Sequence, residues 1–233
     1  MIEAEWWEYD SLDELADAVA GDVGFIIESA VDARGSSLIA VPGGNTGPAI
    51  FPKLLAQKVP WKKVTIIPTD DRLVPMDDER SNVRAIGKAF IPSGARVIPI
   101  ATDISDYRLA GNSADARLRD FPWPPDLVWL GMGKDGHTAS IFTGPDLEDA
   151  LDAPKARRAV GVMPDPLPPE APVARVTLTR ASILSARTVV ITITGDEKRA
   201  LLEKSIADGQ SSKLPIGRVL AEAEQPIDIH WAP

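Results

Sequence analysis

The segment DLVWLGMGKDGHTAS, residues 126–140, joins an apolar run to a glycine-rich loop and limits the fold classes open to the chain. The run predicts a buried strand, and the loop has the spacing Gly131-x-Gly133-x-x-Gly136. This spacing matches the dinucleotide-binding fingerprint, which also requires a full crossover helix and then a strand that ends in an acid. Only HTASIF separates Gly136 from the loop-like TGPDLEDALDAP. The context therefore argues against a nucleotide cofactor and for tight turns with exposed N–H groups at a strand-to-helix junction.

Short apolar runs alternate with helical patterns along most of the chain. The predicted strands are SLIAV (37–41), VTIIP (64–68), DLVWLG (126–131), ARVTLT (174–179) and TVVITIT (188–194). The predicted helices are SLDELADAVAGDVGFIIESAVDARG, with a capping box at Ser11 and Glu14 and an interruption or kink near Gly21–Gly24; PAIFPKLLAQK; SNVRAIGKAF, capped by Ser81 or Asn82; and DEKRALLEKSIAD. This alternation predicts an α/β fold in one domain over residues 1–233, a mainly parallel, Rossmann-like sheet covered by helices on both faces.

The proline-rich segment VMPDPLPPEAPVA (162–174) contains five prolines in 13 residues and cannot form regular structure. Two interpretations remain open for it. It is either an exposed connector or a flap over a cleft.

Composition excludes several classes of function. The 233 residues include no cysteine, which rules out a thiol nucleophile, a disulfide framework and a thiolate metal site. The formal net charge of −9 is the opposite of what a nucleic-acid binder requires, and an anionic ligand would need a local cluster of cations. No apolar stretch approaches a membrane span, and the acidic, aromatic N-terminus is unlike a signal peptide. We therefore expect a cytoplasmic protein without a nucleic-acid or membrane partner.

Four unusual loops follow predicted strands, and the carboxyl ends of parallel strands share one edge of a sheet. The loops are PGGNTG, TDDR, GMGKDGHT and TGDEK. The sequence therefore predicts one site that is built from four segments.

His137 directly follows the third glycine of the loop, and His230 is the only other histidine. A neutral imidazole suits a general base at neutral pH, and a helix N-terminus would favour its neutral form. The alternative is a capping or solvent-facing histidine. His230, in DIHWAP, has no comparable surroundings and is expected to be structural.

The segment LVWLGMGKDGHTASIF resembles the hallmark of the 6-phosphogluconolactonases, within the glucosamine-6-phosphate isomerase/lactonase family. VPGGNT, TDDRLVPMDDERSN and ARVTLTRASILSARTVVITITGDEKRALL resemble further motifs of this family in the same order, so the resemblance covers about residues 35–220. The chain departs from the family at Asn45-Thr46, where Ser-Thr is common, at Asp71, where glutamate is usual, and at Thr143, where proline is usual. These departures concern substrate positioning rather than the reaction.

The resemblance implies hydrolysis of 6-phospho-D-glucono-1,5-lactone, a small sugar-phosphate lactone, without a cofactor or a catalytic metal. It implies His137 as the base that deprotonates the attacking water. Asp135 either orients the imidazole or simply caps the turn. Backbone N–H groups of the glycine loops, Gly133 among them, are candidates for stabilising the oxyanion.

Family phosphate-binding positions correspond to Arg72 and Lys198 in this chain. The loop residues implied for the same site are Gly43, Gly44, Asn45 and Thr46. Arg175 also corresponds to a family position, with a structural ion pair as the alternative. Asp70 either touches sugar hydroxyls or holds Arg72 in place.

Two other functions remain as alternatives. Isomerisation and deamination of glucosamine 6-phosphate is the sister activity, but those relatives resemble Asp-Glu-Tyr in the second loop and Ile-Ala-Phe-Asn-Glu after the histidine. Here the loops are Asp-Asp-Arg and Thr-Ala-Ser-Ile-Phe. A non-catalytic sugar-phosphate sensor would typically carry a DNA-binding module, for which this chain offers neither length nor a basic patch. We expect a monomer or a weak homo-oligomer.

Overall fold

The apolar runs of the sequence pair into two β-sheets in the described part of the chain. The computed structural model describes residues 2–44 and 46–233. Its strands are β1 (Ala4–Glu8), β2 (Ser37–Val41), β3 (Val64–Pro68), β4 (Asp70–Arg72), β5 (Arg96–Val97), β6 (Leu127–Leu130), β7 (Ala159–Val162), β8 (Arg175–Leu178), β9 (Thr188–Thr194) and β10 (Ile227–Ala232). Its helices are α1 (Leu12–Arg34), α2 (Thr46–Leu55), α3 (Asn82–Phe90), α4 (Tyr107–Leu118), α5 (Leu147–Leu151), α6 (Arg180–Ser185), α7 (Asp196–Asp208) and α8 (Pro215–Leu220).

The larger sheet has seven parallel strands in the order β1-β10-β9-β6-β2-β3-β5. From β2 the chain continues outward through β3 to β5, whereas from β6 it continues through β9 to β10 on the other side. The neighbours β2 and β6 therefore flank a topological switch point, where such sheets open a crevice beyond the carboxyl ends of their strands. The loops that begin at Pro42 and Gly131 leave β2 and β6 at this crevice.

Side chains of the central strands alternate between two apolar cores. Ile39 of β2 belongs to the core that α1, α2 and α3 cover. Its neighbours Leu38 and Ala40 belong to the opposite core, with α4, α7 and α8. Every residue of β2 is buried, as expected for a parallel strand covered on both sides. The predicted mainly parallel, Rossmann-like α/β fold with helices on both faces is confirmed.

A three-stranded antiparallel sheet, ordered β4-β8-β7, lies against α4. The approach is close, because a Cβ atom built on Gly111 of α4 would lie 2.0 Å from the backbone nitrogen of Gly161 in β7. The predicted strand ARVTLT (174–179) forms β8 of this small sheet rather than a strand of the parallel sheet. Its four residues are all buried between neighbouring elements, so its apparent alternation does not mark a solvent-facing side. The proline-rich stretch leads from β7 to β8 without helix or strand after Val162.

Helix α1 begins at its predicted cap and runs without interruption to Arg34. The Ser11 side chain accepts a hydrogen bond from the Glu14 N–H, and Gly35 ends the helix with a φ of 80°. The predicted interruption near Gly21–Gly24 is wrong. A helical glycine costs only about 1 kcal/mol, and the buried face of α1 outweighs that cost. None of the described helices combines the length and apolar character that a membrane crossing requires.

His230 is buried in β10, as expected for a structural histidine. Its Nδ1 lies 2.9 Å from the Tyr9 hydroxyl, and the two rings stack with centroids 5.9 Å apart. Burial lowers the pKa of His230 to about 4. The Asp22 carboxylate, 3.8 Å from Nε2, would favour the charged imidazole, but its side chain is 59% exposed and solvent weakens the attraction. His230 is therefore neutral in the folded protein at neutral pH.

We expect the protein to lose stability as the pH falls from 6.5 to about 4, because the unfolded state protonates His230 first. The contribution of this residue is complete above pH 6.5 and amounts to at most about 3 kcal/mol. Urea denaturation of the wild type and His230→Gln across this range measures it, since glutamine is polar and does not titrate. The prediction is contradicted if the free energy of unfolding of both proteins follows the same pH dependence.

Candidate functional site

Four loops meet at the carboxyl edge of β3, β2, β6 and β9, which are adjacent strands of the parallel sheet. They are the loops that the sequence singled out. Side-chain contacts join them directly. The Ser140 hydroxyl, in the loop after β6, donates a hydrogen bond to Asp70 Oδ2 at 2.6 Å, and Asp70 lies just beyond β3. The Asn82 side chain reaches across to Gly43, after β2, where a Cβ atom would lie 2.0 Å from Asn82 Cγ. Lys134, in the loop after β6, lies 3.2 Å from Glu197 of TGDEK, so the predicted loops form one contiguous surface.

His137 is held by three neighbours from its own segment. Its Nδ1 lies 2.5 Å from Asp135 Oδ1, and its ring stacks on Phe142 with centroids 4.2 Å apart. It also lies against Gly133, where a Cβ atom would be 2.2 Å from His137 Cε1. Because a carboxylate can only accept at Nδ1, the imidazole carries its proton there and presents Nε2 as the basic nitrogen. The histidine side chain is 27% exposed, so solvent reaches part of it.

The Asp135 carboxylate is ionised next to this imidazole. Burial opposes its ionisation, but the hydrogen bonds from His137, together with the charge of His137 when it is protonated, outweigh burial and hold the pKa of Asp135 below its usual value. The same carboxylate oxygen also accepts a hydrogen bond from the His137 backbone N–H at 3.3 Å. Asp135 therefore both caps the turn and orients the imidazole.

The loop that carries His137 is a closed turn and not a strand-to-helix junction. The Gly133 N–H donates to the His137 carbonyl at 2.9 Å, and the Gly136 N–H donates to the Gly133 carbonyl at 3.0 Å. An antiparallel bridge between Thr138 and Ile141 then reverses the chain, and the next helix begins only at Leu147. The predicted junction is therefore wrong, because no described helix begins directly from this loop.

Gly133 has a different role from the one that the sequence suggested. Its N–H is already bonded to the His137 carbonyl and is not available to a substrate. What Gly133 provides is space, because any side chain there would collide with the imidazole and with Asp135 Oδ1. Close contacts, and not an unusual dihedral angle, therefore require glycine at this position.

Arg72 is fixed by hydrogen bonds to neutral groups. Its Nη1 donates to Asn82 Oδ1 at 2.9 Å and to the Arg80 carbonyl at 2.7 Å. Asn82 also donates from Nδ2 to the Asp70 carbonyl at 2.8 Å. The sequence predicts Asn82 only as a possible helix cap, a role that Ser81 fills. The position of Asn82 at the end of the family-like segment TDDRLVPMDDERSN is the feature of the sequence that could have indicated this contact with Arg72.

Asp70 is hydrogen-bonded to groups other than Arg72, so the alternative that it holds Arg72 in place is not supported. Its carboxylate is buried and accepts hydrogen bonds from Ser140 and, at 3.2 Å, from the Thr69 hydroxyl. Within the described residues it makes no ion pair with Arg72. Asp70 therefore fastens the histidine loop to β4.

Asp71, the next residue of β4, connects this strand to the start of α3. It is buried and accepts hydrogen bonds from the backbone N–H groups of Arg72, Asn82 and Val83, the last two at the start of α3. Burial raises the pKa of Asp71 to about 6 against the opposing effect of these hydrogen bonds. The departure from the family pattern at this position thus falls on a residue that anchors α3.

Arg72 and Arg175 lie directly opposite each other on the antiparallel strands β4 and β8. Arg175 is only 2% exposed, and its Nη2 donates to the Ala171 carbonyl at 3.0 Å. The buried Nε atoms of both arginines have no hydrogen-bond partner within the described ranges. Neither arginine forms an ion pair with a described carboxylate, so the structural alternative for Arg175 is not supported. Two cations placed together in this way, with donors left unpartnered, are chemically suited to an anion.

Lys198 lies in the first turn of α7, half-buried beside the histidine loop. Burial lowers the pKa of its ammonium group, and the nearby Lys134 acts in the same direction while Asp135 opposes it. Lys198 has no ion-pair partner among the residues that the structure describes. Its charge is therefore available at the same edge as Arg72 and Arg175.

The loop PGGNTG, after β2, contributes backbone groups rather than charged side chains. Gly44 is exposed with open space around it, and Thr46 is the first residue of α2. Gly43 must be glycine because of its contact with Asn82. Asn45 lies outside the described residues.

A large open groove of about 800 Å³ elsewhere on the protein contains none of these residues. It is lined by α4 and by the segments around α5 and β7, and its arginines are already paired. Arg108 forms an ion pair with Asp146 at 2.8 Å, and Arg157 donates to the Ala159 carbonyl at 2.8 Å. Since its charges are satisfied, this groove is a poorer candidate than the switch-point crevice. In the described ranges no three metal-ligating side chains cluster.

Comparison with known proteins gives long and consistent matches. A family model for glucosamine-6-phosphate isomerases/6-phosphogluconolactonase matches residues 10–231. A 6-phosphogluconolactonase of Mesorhizobium japonicum is 37% identical over 235 residues, which cover 98% of this chain and 95% of that protein. One from Rhizobium meliloti is 35% identical over 229 residues, 97% of each chain. The crystal structure of a 6-phosphogluconolactonase from Shewanella baltica has a TM-score of 0.91 at 30% identity, covering 99% of this chain and 98% of that one.

Proposed function

The chain belongs to the glucosamine-6-phosphate isomerase/6-phosphogluconolactonase family, and from this we propose that it hydrolyses 6-phospho-D-glucono-1,5-lactone to 6-phospho-D-gluconate. This is the second step of the oxidative pentose phosphate pathway. The observation that carries the proposal is the position of the His137–Asp135 pair beside the Arg72–Arg175 pair. Phe142 contacts both His137 and Arg175, so base and cations share one site.

His137 acts as the general base. Its Nε2 takes a proton from water while the water oxygen attacks C1 of the lactone. The bond from C1 to the ring oxygen then breaks, and the imidazolium returns its proton to that oxygen, which becomes the C5 hydroxyl. A lactone is a reactive ester, so an activated water is sufficient and no covalent intermediate is required. Asp135 stabilises the imidazolium through Nδ1.

The 6-phosphate binds to the cations at the opposite side of the site. Arg72 offers a forked guanidinium, and Lys198 offers a compact point charge. Arg175 adds a second guanidinium from β8, and the backbone of Gly43 and Gly44 adds N–H donors. This cluster provides the local positive charge that a dianion needs in a protein with a net charge of −9.

We further propose that residues 1–233 act as one family domain, as a monomer or a weak homo-oligomer. The reaction belongs in the cytoplasm, because a phosphorylated sugar carries charges that oppose its passage through a bilayer. Nucleic acid and membrane are not partners in it.

A substrate panel tests the proposed function. Fresh 6-phospho-D-glucono-1,5-lactone is expected to open far faster than its spontaneous rate, with proton release followed at constant pH. Glucosamine 6-phosphate is expected to release no ammonia. Ammonia release without lactone opening would identify the isomerase/deaminase activity. Binding of either sugar phosphate with no reaction would identify a sensor, and both of these outcomes would overturn the proposal.

We expect Gly133→Ala to lower kcat about 10- to 50-fold, since its methyl group would displace His137, and a 1 Å misplacement can cost about 10²-fold. Gly131→Ala is the matched control, because a Cβ atom there meets nothing within 4 Å. Steady-state kinetics of both variants, with unfolding curves to confirm their folding, measure the effect. Equal losses in the two variants would show that the loop tolerates no alanine for reasons unrelated to His137.

A further inference from the structure

Phe142 contacts both the general base and a buried cation. Its ring stacks on the His137 imidazole at an interplanar angle of 24°, with centroids 4.2 Å apart. The Arg175 guanidinium carbon lies 5.0 Å from the centroid of the same ring. Phe142 is only 8% exposed, and the Thr138–Ile141 bridge just before it brings the chain back over His137. The Phe142 ring is therefore held in place by its burial beside the site.

The other contacts of His137 do not fix the plane of its imidazole. The hydrogen bond from Nδ1 to Asp135 Oδ1 restrains one atom, and the Asp135 side chain is itself 58% exposed. The torsion about the bond from Cβ to the imidazole is intrinsically broad, as for other sp³–sp² torsions. Gly133 excludes some positions of the ring by close contact. A stacked partner is what restricts rotation out of the plane.

Because Arg175 lies nearby, it matters that the side chain stacked on His137 is an uncharged aromatic ring. Aromatic faces attract guanidinium groups, so the Phe142 ring accommodates the charge. The same ring stacks on an imidazole that must accept a proton. A guanidinium in direct contact with the imidazole would oppose that step by like-charge repulsion.

We propose that Phe142 is a positioning residue for the reaction: its ring fixes the plane of His137 so that Nε2 faces the water. This inference rests on the proposed lactonase function. We therefore expect the Phe142 ring to affect kcat and not the binding of the sugar phosphate.

Replacement of the ring by apolar side chains of similar size tests the inference. Phe142→Leu and Phe142→Met are each expected to lower kcat for the phosphorylated lactone about tenfold with an unchanged KM. Phe142→Tyr keeps the ring and is expected to retain most of the wild-type kcat. In a His137→Ala background, Phe142→Leu is expected to cost nothing further, because the base that the ring positions is absent. Enzyme concentrations must keep each rate above spontaneous opening.

Several outcomes would overturn the inference. One is a kcat within about twofold of wild type for both Phe142→Leu and Phe142→Met. Another is full multiplication of the losses in the double variant, which would indicate a general structural role. A third is a rise in KM with unchanged kcat. Wild-type turnover is measured first, so a wild type that leaves the lactone unopened identifies failure of the proposed function itself, before any Phe142 variant is compared.

Discussion

Replacement of His137 by alanine is expected to lower kcat for 6-phospho-D-glucono-1,5-lactone by about 10²–10⁴-fold and to change KM little. The reason is that the imidazole is the base that activates water and contributes chiefly in the transition state. Asp135 and Phe142 hold it in place, whereas the cations proposed for the phosphate lie on β4, β8 and α7. Steady-state rates with fresh lactone, corrected for spontaneous opening, measure the loss.

His230→Gln is the matched control for this experiment. It removes the other histidine, which is buried in β10 and bonded to Tyr9, and should leave kcat near the wild-type value at neutral pH. Spontaneous opening sets a floor below which no loss can be seen, so the variant must be assayed at high concentration. Activity of His137→Ala within about threefold of wild type would eliminate His137 as the base.

Loss of a phosphate-binding cation is expected to have the next largest effect. Arg72→Ala and Lys198→Ala should each cost about 1.5–3 kcal/mol, or about 10- to 150-fold in kcat/KM for the phosphorylated lactone. The penalty should be much smaller for glucono-1,5-lactone, which has no phosphate to bind. The quantity to measure is the ratio of kcat/KM for the two lactones in each protein.

Lys204→Ala is a matched control for Lys198→Ala. Lys204 lies on the same helix, but its side chain is 71% exposed and paired with Asp208 at 2.7 Å. Its removal should leave the ratio of the two lactones unchanged. If Arg72→Ala and Lys198→Ala slow both lactones equally, these residues support the fold or the chemistry, and the phosphate assignment must be abandoned.

The central strands and their loops could be predicted from the sequence because their signals are local. SLIAV, VTIIP and TVVITIT form β2, β3 and β9 at the predicted residues, and DEKRALLEKSIAD forms α7. Parallel strands then place the loops at one edge by geometry alone, without knowledge of any contact. The cap of α1 at Ser11 also depends only on nearby residues.

Other features could not be predicted because they depend on contacts between distant segments. Strand β1 pairs with β10, at the opposite end of the chain, and the AEWWE segment shows little apolar alternation. Pairing of β4 with β8 places Arg72 opposite Arg175, which no sequence spacing reveals. The sequence marked Gly133 as special but could not show whether its N–H or its lack of a side chain mattered.

The central claim is that a water molecule activated at His137 attacks the lactone directly, and a single turnover in ¹⁸O-labelled water tests it. Enzyme in excess over 6-phospho-D-glucono-1,5-lactone is quenched after one turnover, and the masses of product and protein are determined. We expect one heavy oxygen in the carboxylate of the product and an unlabelled, unmodified protein. An unlabelled product with the heavy oxygen in the protein, or a sugar acid covalently attached to it, would contradict the account.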